Sequence, residues 1–430
     1  MKERMRRQRI RPVRLVCICL AAGAMLCGCS RQETTKTISL PEVKQQEKGI
    51  PGIIINNIRE YVYDGHSEDH LQLSFGERGA DAVYLLRYGE KGYTYRKIDI
   101  NTKKTINETF VDERTLFNIQ IAPGGRYFSY EAETKANAPE LVLFLAEEGR
   151  SVVLREWTEC LQGFSYVWSD DGTKLFSWQD GEDYAFLPDN DWSVTCYDME
   201  SLQEDDEGRL SIEKTVIQMK GGGYAWRHVL PNADGSKVYV RVEYETFSDS
   251  KKGESMQRNA EREKMMQENN VNKEDWGNEG EKKAAENWLL LPDSHEKKKV
   301  EEYAKEPVHP VKYTTKGLYY QSEDGKLFLA ENIEEKPSVT ELFSAANPEI
   351  CICSEGDHLF FIEWTDDMQT LQLSGVRMDG AKPTAKQVLY KEKCESAAYS
   401  VTADDSAVIL KVHEYLGEDK YAFKITKLGY

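Results

Sequence analysis

The sequence predicts an all-β protein in which one sheet unit is repeated around a ring. From about Ile53, short runs rich in Val, Ile, Leu, Tyr and Phe alternate with polar turn residues, a pattern typical of antiparallel strands. A motif made of a turn with Gly or Asp and a following apolar strand also recurs along the chain. The recurrence predicts structural repeats.

The turns of this motif mark the repeats. Four of the six intervals between successive turns measure 39 to 49 residues, and a propeller blade takes about 40–50 residues. The two longer intervals contain polar stretches around Asp189 and Asp205 and a charged insertion. A seven-bladed β-propeller is therefore predicted over 56–430. The seven turn residues are Gly79, Gly125, Gly172, Gly235, Gly317, Gly356 and Asp405.

Two repeats resemble those of a known family. Residues 168–178 (WSDDGTKLFSW) and 122–130 (APGGRYFSY) are similar to the F-S-P-D-G-K repeat of TolB-like, or WD40-like, propellers. The resemblance covers about residues 60–430 without the insertion. It implies the fold and leaves the function open, because one fold can host many functions.

The insertion is predicted over 248–309. It is rich in strong helix formers and mostly polar on all sides, so we expect solvated helices or disorder. Its apolar stretch is Trp288, Leu289, Leu290 and Leu291. A second interpretation makes this stretch a patch through which a helical arm docks on the propeller or on a partner.

The first 28 residues have the composition of an export signal. Residues 1–14 carry seven Lys or Arg and one acid, and residues 15–26 carry no charge. A basic segment before roughly 7–15 apolar residues is typical of a secretory signal. The apolar run is too short to cross a bilayer, which takes about 20 residues.

The end of this segment, Leu26-Cys27-Gly28-Cys29, resembles the bacterial lipobox. The resemblance implies cleavage between Gly28 and Cys29 and modification of Cys29 with acyl chains such as palmitate. We therefore predict a signal peptide over 1–28 and a flexible tether over 29–55. The predicted location is the extracytoplasmic face of the cell membrane, where the lipid anchors the protein.

Composition limits the partners. The net charge is −18, which argues against nucleic acid because binding to phosphates requires a basic surface. A protein or a neutral glycan stays compatible with this charge. Apart from the lipidated Cys29, five Cys follow the signal, and we interpret them as small buried side chains rather than a disulfide framework. They are Cys160, Cys196, Cys351, Cys353 and Cys394.

Several polar motifs contain residue types that can bind metals or sugars. His66 and His70 would share one helix face with metal-ligand spacing, but a loop is the favoured interpretation. Asp189–Asp191 and Glu204–Glu207 lack the further ligands of a calcium loop. Trp residues near strand ends are interpreted as fillers between blades rather than a sugar platform. These are Trp168, Trp178, Trp192, Trp226 and Trp364.

The sequence contains no nucleophile elbow, P-loop or dinucleotide fingerprint. We therefore predict no catalytic residue, no metal site and no cofactor. The leading hypothesis is a non-catalytic, surface-anchored propeller that binds a protein or a component of the cell envelope. The alternative is an extracellular hydrolase or lyase acting on glycans or peptides, with acids and His at the channel mouth.

Overall fold

A computed structural model describes most of the repeat region. The described residues are 36–38, 52–66, 70–74, 82–99, 102, 104–134, 139–156, 164–178, 192–219, 225–244, 285–300, 308–322, 324–344, 349–365, 369–394, 397–417 and 420–430. No helix among them is long and apolar enough to cross a membrane. The helical elements in these ranges include two short 3-10 turns, Met199–Ser201 and Pro292–Ser294.

The described strands form seven antiparallel sheets that are the blades of a β-propeller, and one separate two-stranded hairpin; the prediction of this fold is confirmed. Blade 1 holds β3 (His70–Ser74), β4 (Ala82–Gly89), β5 (Gly92–Asp99) and β6 (Thr105–Asp112). Blade 2 holds β7 (Leu116–Ile121), β8 (Tyr127–Glu133), β9 (Pro139–Leu145) and β10 (Arg150–Glu156). Blade 3 holds β11 (Ser165–Trp168), β12 (Lys174–Trp178), β13 (Trp192–Asp198) and β16 (Lys214–Met219), with a hairpin of β14 (Gln203–Glu204) and β15 (Leu210–Ser211).

The next three blades repeat this order. Blade 4 holds β17 (Ala225–Pro231), β18 (Val238–Tyr244), β19 (Glu286–Leu291) and β20 (Glu296–Val300). Blade 5 holds β21 (Val308–Thr314), β22 (Gly317–Ser322), β23 (Lys326–Glu331) and β24 (Ser338–Ser344). Blade 6 holds β25 (Glu349–Ile352), β26 (His358–Trp364), β27 (Thr370–Asp379) and β29 (Gln387–Lys393), and β28 (Lys382–Pro383) pairs with the end of β27.

Blade 7 closes the ring. It joins β30 (Ala397–Ala403), β31 (Ala407–Gly417) and β32 (Lys420–Gly429) to β2 (Asn57–His66) from the other end of the chain. The pairing of β2 with β32 runs from Asn57 opposite Gly429 to His66 opposite Lys420. A short strand, β1 (Lys36–Ile38), pairs with the outer edge of β2. The two ends of the chain are thus held in one sheet.

The apolar core lies between the blades. Among the described residues, seven buried clusters fill the seven gaps between neighbouring blades. The first strands of consecutive blades contact each other, as β11 does with β17 and β17 with β21, so these strands surround the axis. Since each sheet is apolar on both faces, no blade can bury its own surface alone.

The predicted turn residues lie at one end of the blades. Gly125, Gly172, Gly235, Gly317 and Gly356 all have positive φ, and each lies at the turn between the first and second strand of its blade. Asp405 lies at the same connection in blade 7, and Gly79 is outside the described residues. We call this end the turn face, because it also carries the turns between third and fourth strands.

The opposite end is the loop face. It carries the connections from second to third strands and from each blade to the next. Two of its connections are long, residues 179–191 in blade 3 and 245–285 in blade 4. The loop face thus carries the longest connection within a blade, residues 245–285.

The predicted insertion over 248–309 is too wide. Residues 286–291 and 296–300 are the third and fourth strands of blade 4, and β21 of blade 5 begins at Val308. The prediction of helix over these residues is wrong, because pairing within the sheet overrides their helix propensity. Residues 245–284 lie outside the described residues.

The predicted partner patch is also wrong. Trp288, Leu289, Leu290 and Leu291 form β19, which pairs with β18 on one side and β20 on the other. Leu289 and Leu290 are 1% and 0% exposed. These side chains pack against the neighbouring blades, so the stretch is core and offers no docking surface.

Candidate functional site

The residues of the predicted anchor, Gly28 and Cys29, lie outside the described residues, as does the whole signal peptide over 1–28. Most of the predicted tether also lies outside them. The propeller begins slightly earlier than 56, because Ile53 is buried against blades 6 and 7. The anchor therefore stays a prediction.

The His pair near the ring closure does not share a helix face. His66 ends β2 in blade 7, and His70 begins β3 in blade 1. Within the ranges that the structure describes, no group of three or more His, Cys, Asp or Glu side chains could hold a metal ion.

Of the acidic motifs, Asp189–Asp191 lies outside the described residues, and described Asp side chains elsewhere fix turns. Asp171 Oδ1 accepts hydrogen bonds from Ser169 Oγ at 2.7 Å, Thr173 N at 2.9 Å and Thr173 Oγ1 at 2.8 Å. Asp205 likewise accepts bonds from Glu207 N and Arg209 N in the hairpin of blade 3. Such bonds are typical of Asp that fixes its own turn, so these carboxylates act within the fold.

The Trp and Cys side chains that can be assessed fill the core. Trp168, Trp178 and Trp192 are buried between blades. Four described Cys are free thiols, and three of them are buried. This supports the interpretation of both residue types as packing residues.

A buried carboxylate lies between blades 2 and 3. Glu131 is 2% exposed and accepts a hydrogen bond from Asn118 Nδ2, whose backbone oxygen accepts one from Tyr166 Oη. Asn118 has a φ of 49° in a bulge of β7 between Phe117 and Gln120. Burial raises the pKa of the Glu131 carboxyl, because the neighbouring amides compensate only part of the lost hydration.

A second polar cluster lies between blades 4 and 5. Glu243 accepts a hydrogen bond from Arg241 Nε at 2.6 Å, and His228 Nε2 lies 3.8 Å from its other oxygen. Asn287 Oδ1 accepts bonds from Arg241 Nη1 at 3.2 Å and Tyr239 Oη at 2.6 Å. Arg241 and His228 lower the pKa of Glu243 to about 2 against the opposing effect of burial.

The two clusters occupy equivalent places in the repeat. Glu131 and Arg241 each lie six residues after the turn residue of the blade, and Lys411 does so in blade 7. Lys411 shares a strand face with Ile409, which packs against blade 1. Burial lowers the pKa of Lys411. At this position of the repeat, three blade gaps thus carry a charged side chain, towards the loop face.

Four exposed apolar side chains lie at strand ends on the loop face. Tyr88 in blade 1 is 48% exposed, and Tyr415 and Leu416 in blade 7 are 57% and 52% exposed. All three lie at hairpins between second and third strands. Phe117, at the start of the first strand of blade 2, is 48% exposed. We call these four residues the apolar arc, because they follow three consecutive blades.

An ion pair crosses the ring near the turn face. Lys312, in the first strand of blade 5, pairs with Asp170 in the turn of blade 3. The two residues are separated by blade 4, so their side chains span its axial end. Cys351 of blade 6 lies close enough to both for their charges to affect its thiol.

The sequence contained one signal for the polar clusters that the prediction missed. A charged residue at an alternating inward position of a strand is unusual, and aligning the repeats on their turns would have found Glu131, Arg241 and Lys411. The contact of His228 with Glu243 could not be found this way. It depends on the register of β17 and β18, in which His228 lies opposite Arg241.

No protein-family model matches this chain, and no curated protein does so either. Solved propellers are similar. The β-propeller domain of the Trilobed protease from Pyrococcus furiosus matches with 12% identity and a TM-score of 0.46, over 84% of this chain and 94% of that chain.

Two further solved structures show the same likeness. The Cps50 (Swd1) β-propeller domain of Myceliophteria thermophila matches 83% of this chain and 98% of its own, with 10% identity and a TM-score of 0.41. A prolyl endopeptidase matches 80% of this chain and 45% of its own, with 12% identity and a TM-score of 0.48. The likeness is one of fold. Activities differ among these proteins, so none is transferred to this chain.

Proposed function

We propose that this chain is an extracytoplasmic lipoprotein whose propeller, resembling TolB-like propellers, binds a partner through the loop face without catalysing a reaction. The apolar arc is the observation that carries the proposal. Half-exposed Tyr, Phe and Leu side chains grouped on one face are typical of interaction sites. The favoured partner is a protein or a neutral glycan, since the net charge is −18.

The arc can be tested by substitution. Tyr415→Ser combined with Leu416→Ser removes two of its side chains, and Val339→Ser, on the outer strand of blade 5, is the matched control. We expect the yield of the main crosslinked adduct on intact cells to fall about tenfold or more in the double variant. The control should give the wild-type yield. Equal yields of the adduct in the double variant and the control would contradict the proposal.

The anchor is tested separately. Cys29→Ala should abolish acyl labelling and release the protein from the membrane fraction, because the thioether cannot form. Cys27→Ala, two residues earlier, should leave both unchanged. Membrane retention of the Cys29→Ala protein would contradict the anchor.

One observation favours the alternative hydrolase or lyase. His228 and Glu243 converge within 3.8 Å, and an imidazole supported by a carboxylate can act as a general base. Under this alternative, His228→Ala and Glu243→Gln abolish turnover of a glycan or peptide library by the purified protein. A wild-type protein that turns over no member of the library argues for binding alone.

A further inference from the structure

Blade 7 has a fifth strand on the outer edge of its fourth strand, which no other blade has among the described residues. Its fourth strand, β2, is ten residues long, and β1 pairs with its outer edge at three positions. The pairs are Lys36 with Glu60, Thr37 with Arg59 and Ile38 with Ile58. An edge strand presents unpaired N–H and C=O groups that accept a further strand.

We propose that the outer edge of blade 7 is the docking site for the chain's own N-terminal segment, and that this docking holds the propeller close to the membrane. The second part rests on the proposed anchoring at Cys29. The partner of the edge is an extended backbone, so the recognition is β-augmentation within one chain.

The chain is also fixed on the other side of residues 39–51. Ile53 is 4% exposed, and its carbonyl accepts a hydrogen bond from Gln387 Nε2 at 2.7 Å. The contacts of the chain group Thr35–Tyr430 into one compact unit. The body to which the tether attaches therefore begins at β1 rather than at Ile53.

This attachment shortens the chain segment between Cys29 and the first fixed residue of the propeller. Seven peptide steps separate Cys29 from Lys36, which span at most about 25 Å when fully extended. From Cys29 to Gly52 the chain has 23 steps, or at most about 80 Å. Docking of β1 therefore reduces the maximum reach between Cys29 and the first fixed residue of the propeller about threefold.

The docking can be tested by hydrogen exchange on the mature lipoprotein in detergent. Thr37→Pro and Ile38→Pro each remove one N–H, and because neighbouring residues alternate, one of these N–H groups points at β2. Gln45→Pro, outside β1, is the control. We expect amides of residues 57–61 to exchange about threefold faster or more in at least one of the first two variants. Exchange equal to the control in both would overturn the docking.

The distance between the propeller and the membrane is tested by a second measurement. Energy transfer between a dye at Glu90→Cys, on an exposed hairpin of the loop face, and a bilayer acceptor should fall in the variant that loses protection. Energy transfer equal to that of the wild type in this variant would contradict the claim that docking of β1 holds the propeller close to the membrane. If Cys29 is not the anchor, transfer is absent in all variants, while the difference in exchange persists.

Discussion

Glu131 and Glu243 show how the partner decides the charge state of a buried carboxyl. Glu243 faces His228 and the cationic Arg241, which against the effect of burial lower its pKa to about 2. Glu131 has the neutral amide of Asn118 as its partner, and burial raises its pKa. The difference follows from the charge of the donor, because a cation compensates for lost hydration more than a dipole does.

This contrast predicts a specific acid sensitivity. The pKa of Glu243 is lower in the folded chain than its usual value of 4.5, so its stabilisation is full above pH 4.5 and is lost as the pH falls towards 2. Acidification from pH 7 to pH 3 lowers the free energy of unfolding of the wild-type protein. We expect this decrease to be about 1–2 kcal/mol smaller in Glu243→Gln. Urea unfolding at both pH values measures it.

The exposed Glu148→Gln is the control for this experiment. The same shrinkage in both variants would mean that general charge repulsion, rather than the contacts of Glu243 with Arg241 and His228, sets the acid sensitivity.

Glycine at the turn face predicts a second effect. Gly172 has a φ of 71°, and a Cβ there would lie 2.5 Å from the carbonyl oxygen of Pro123 in the neighbouring blade. Gly124 has a φ of 81° with nothing within 4 Å of such a Cβ. Gly124→Ala should cost about 1–2 kcal/mol for the backbone conformation alone.

Gly172→Ala should cost more than Gly124→Ala, because the clash adds to the backbone cost. Thermal unfolding of the two proteins gives the comparison, and the difference measures the contact between blades 2 and 3. Equal costs would show that the neighbouring turn moves away without penalty.

At the scale of elements, turn residues predicted the positions of strands correctly, whereas helix propensity predicted a helix where the structure has a strand. The turns at Gly125, Gly172 and Gly235 were predicted from sequence because only a few residue types accept positive φ. β20 was missed, since Glu296–Lys299 reads as a charged helix. Its position as the outermost strand explains the error, because an edge strand tolerates exposed Lys on both faces.

The candidate site was less predictable than the fold. The apolar arc combines residues from blades 7, 1 and 2, and blade 7 becomes the neighbour of blade 1 only when the ring closes. Tyr88, Tyr415 and Leu416 also look like ordinary strand residues in sequence. Their exposure follows from their position at hairpin ends, which depends on strand bounds that the repeats indicate only approximately.

The reassignment of β19 carries its own prediction. Leu290 is 0% exposed and packs between blades 3 and 4, so Leu290→Ala should reduce the unfolding free energy by about 2–5 kcal/mol. Val339→Ala, at a side chain 41% exposed, should change it by less than about 1 kcal/mol. Denaturant midpoints test this, and a neutral Leu290→Ala would restore the patch interpretation.

At the scale of the molecule, the apolar contacts that stabilise the ring lie between neighbouring blades rather than within single blades. Each gap holds one apolar cluster, and the gap between blades 7 and 1 contains Tyr61, Tyr63, Ile409 and Phe423. Opening any gap exposes two sheet faces at once, so we expect the ring to unfold cooperatively.

Closure at blade 7 predicts a global effect of a single residue near the chain start. Tyr61 is 0% exposed, and Tyr61→Ala should cost about 3–5 kcal/mol. Hydrogen exchange should then accelerate first in blades 7 and 1. Acceleration confined to β2 alone would show that the strand peels away without loosening the ring.

The pairing of Asn57 with Gly429 also sets an order of events during folding. Blades 1 to 6 each consist of strands that are close in sequence, and they can form as the chain emerges. Blade 7 has to wait for its last strand, because its outer strand is among the first residues made and its inner ones among the last. Until then, β2 is a free edge and the ring is open, so protection of this edge by a chaperone matters most just before β32 emerges.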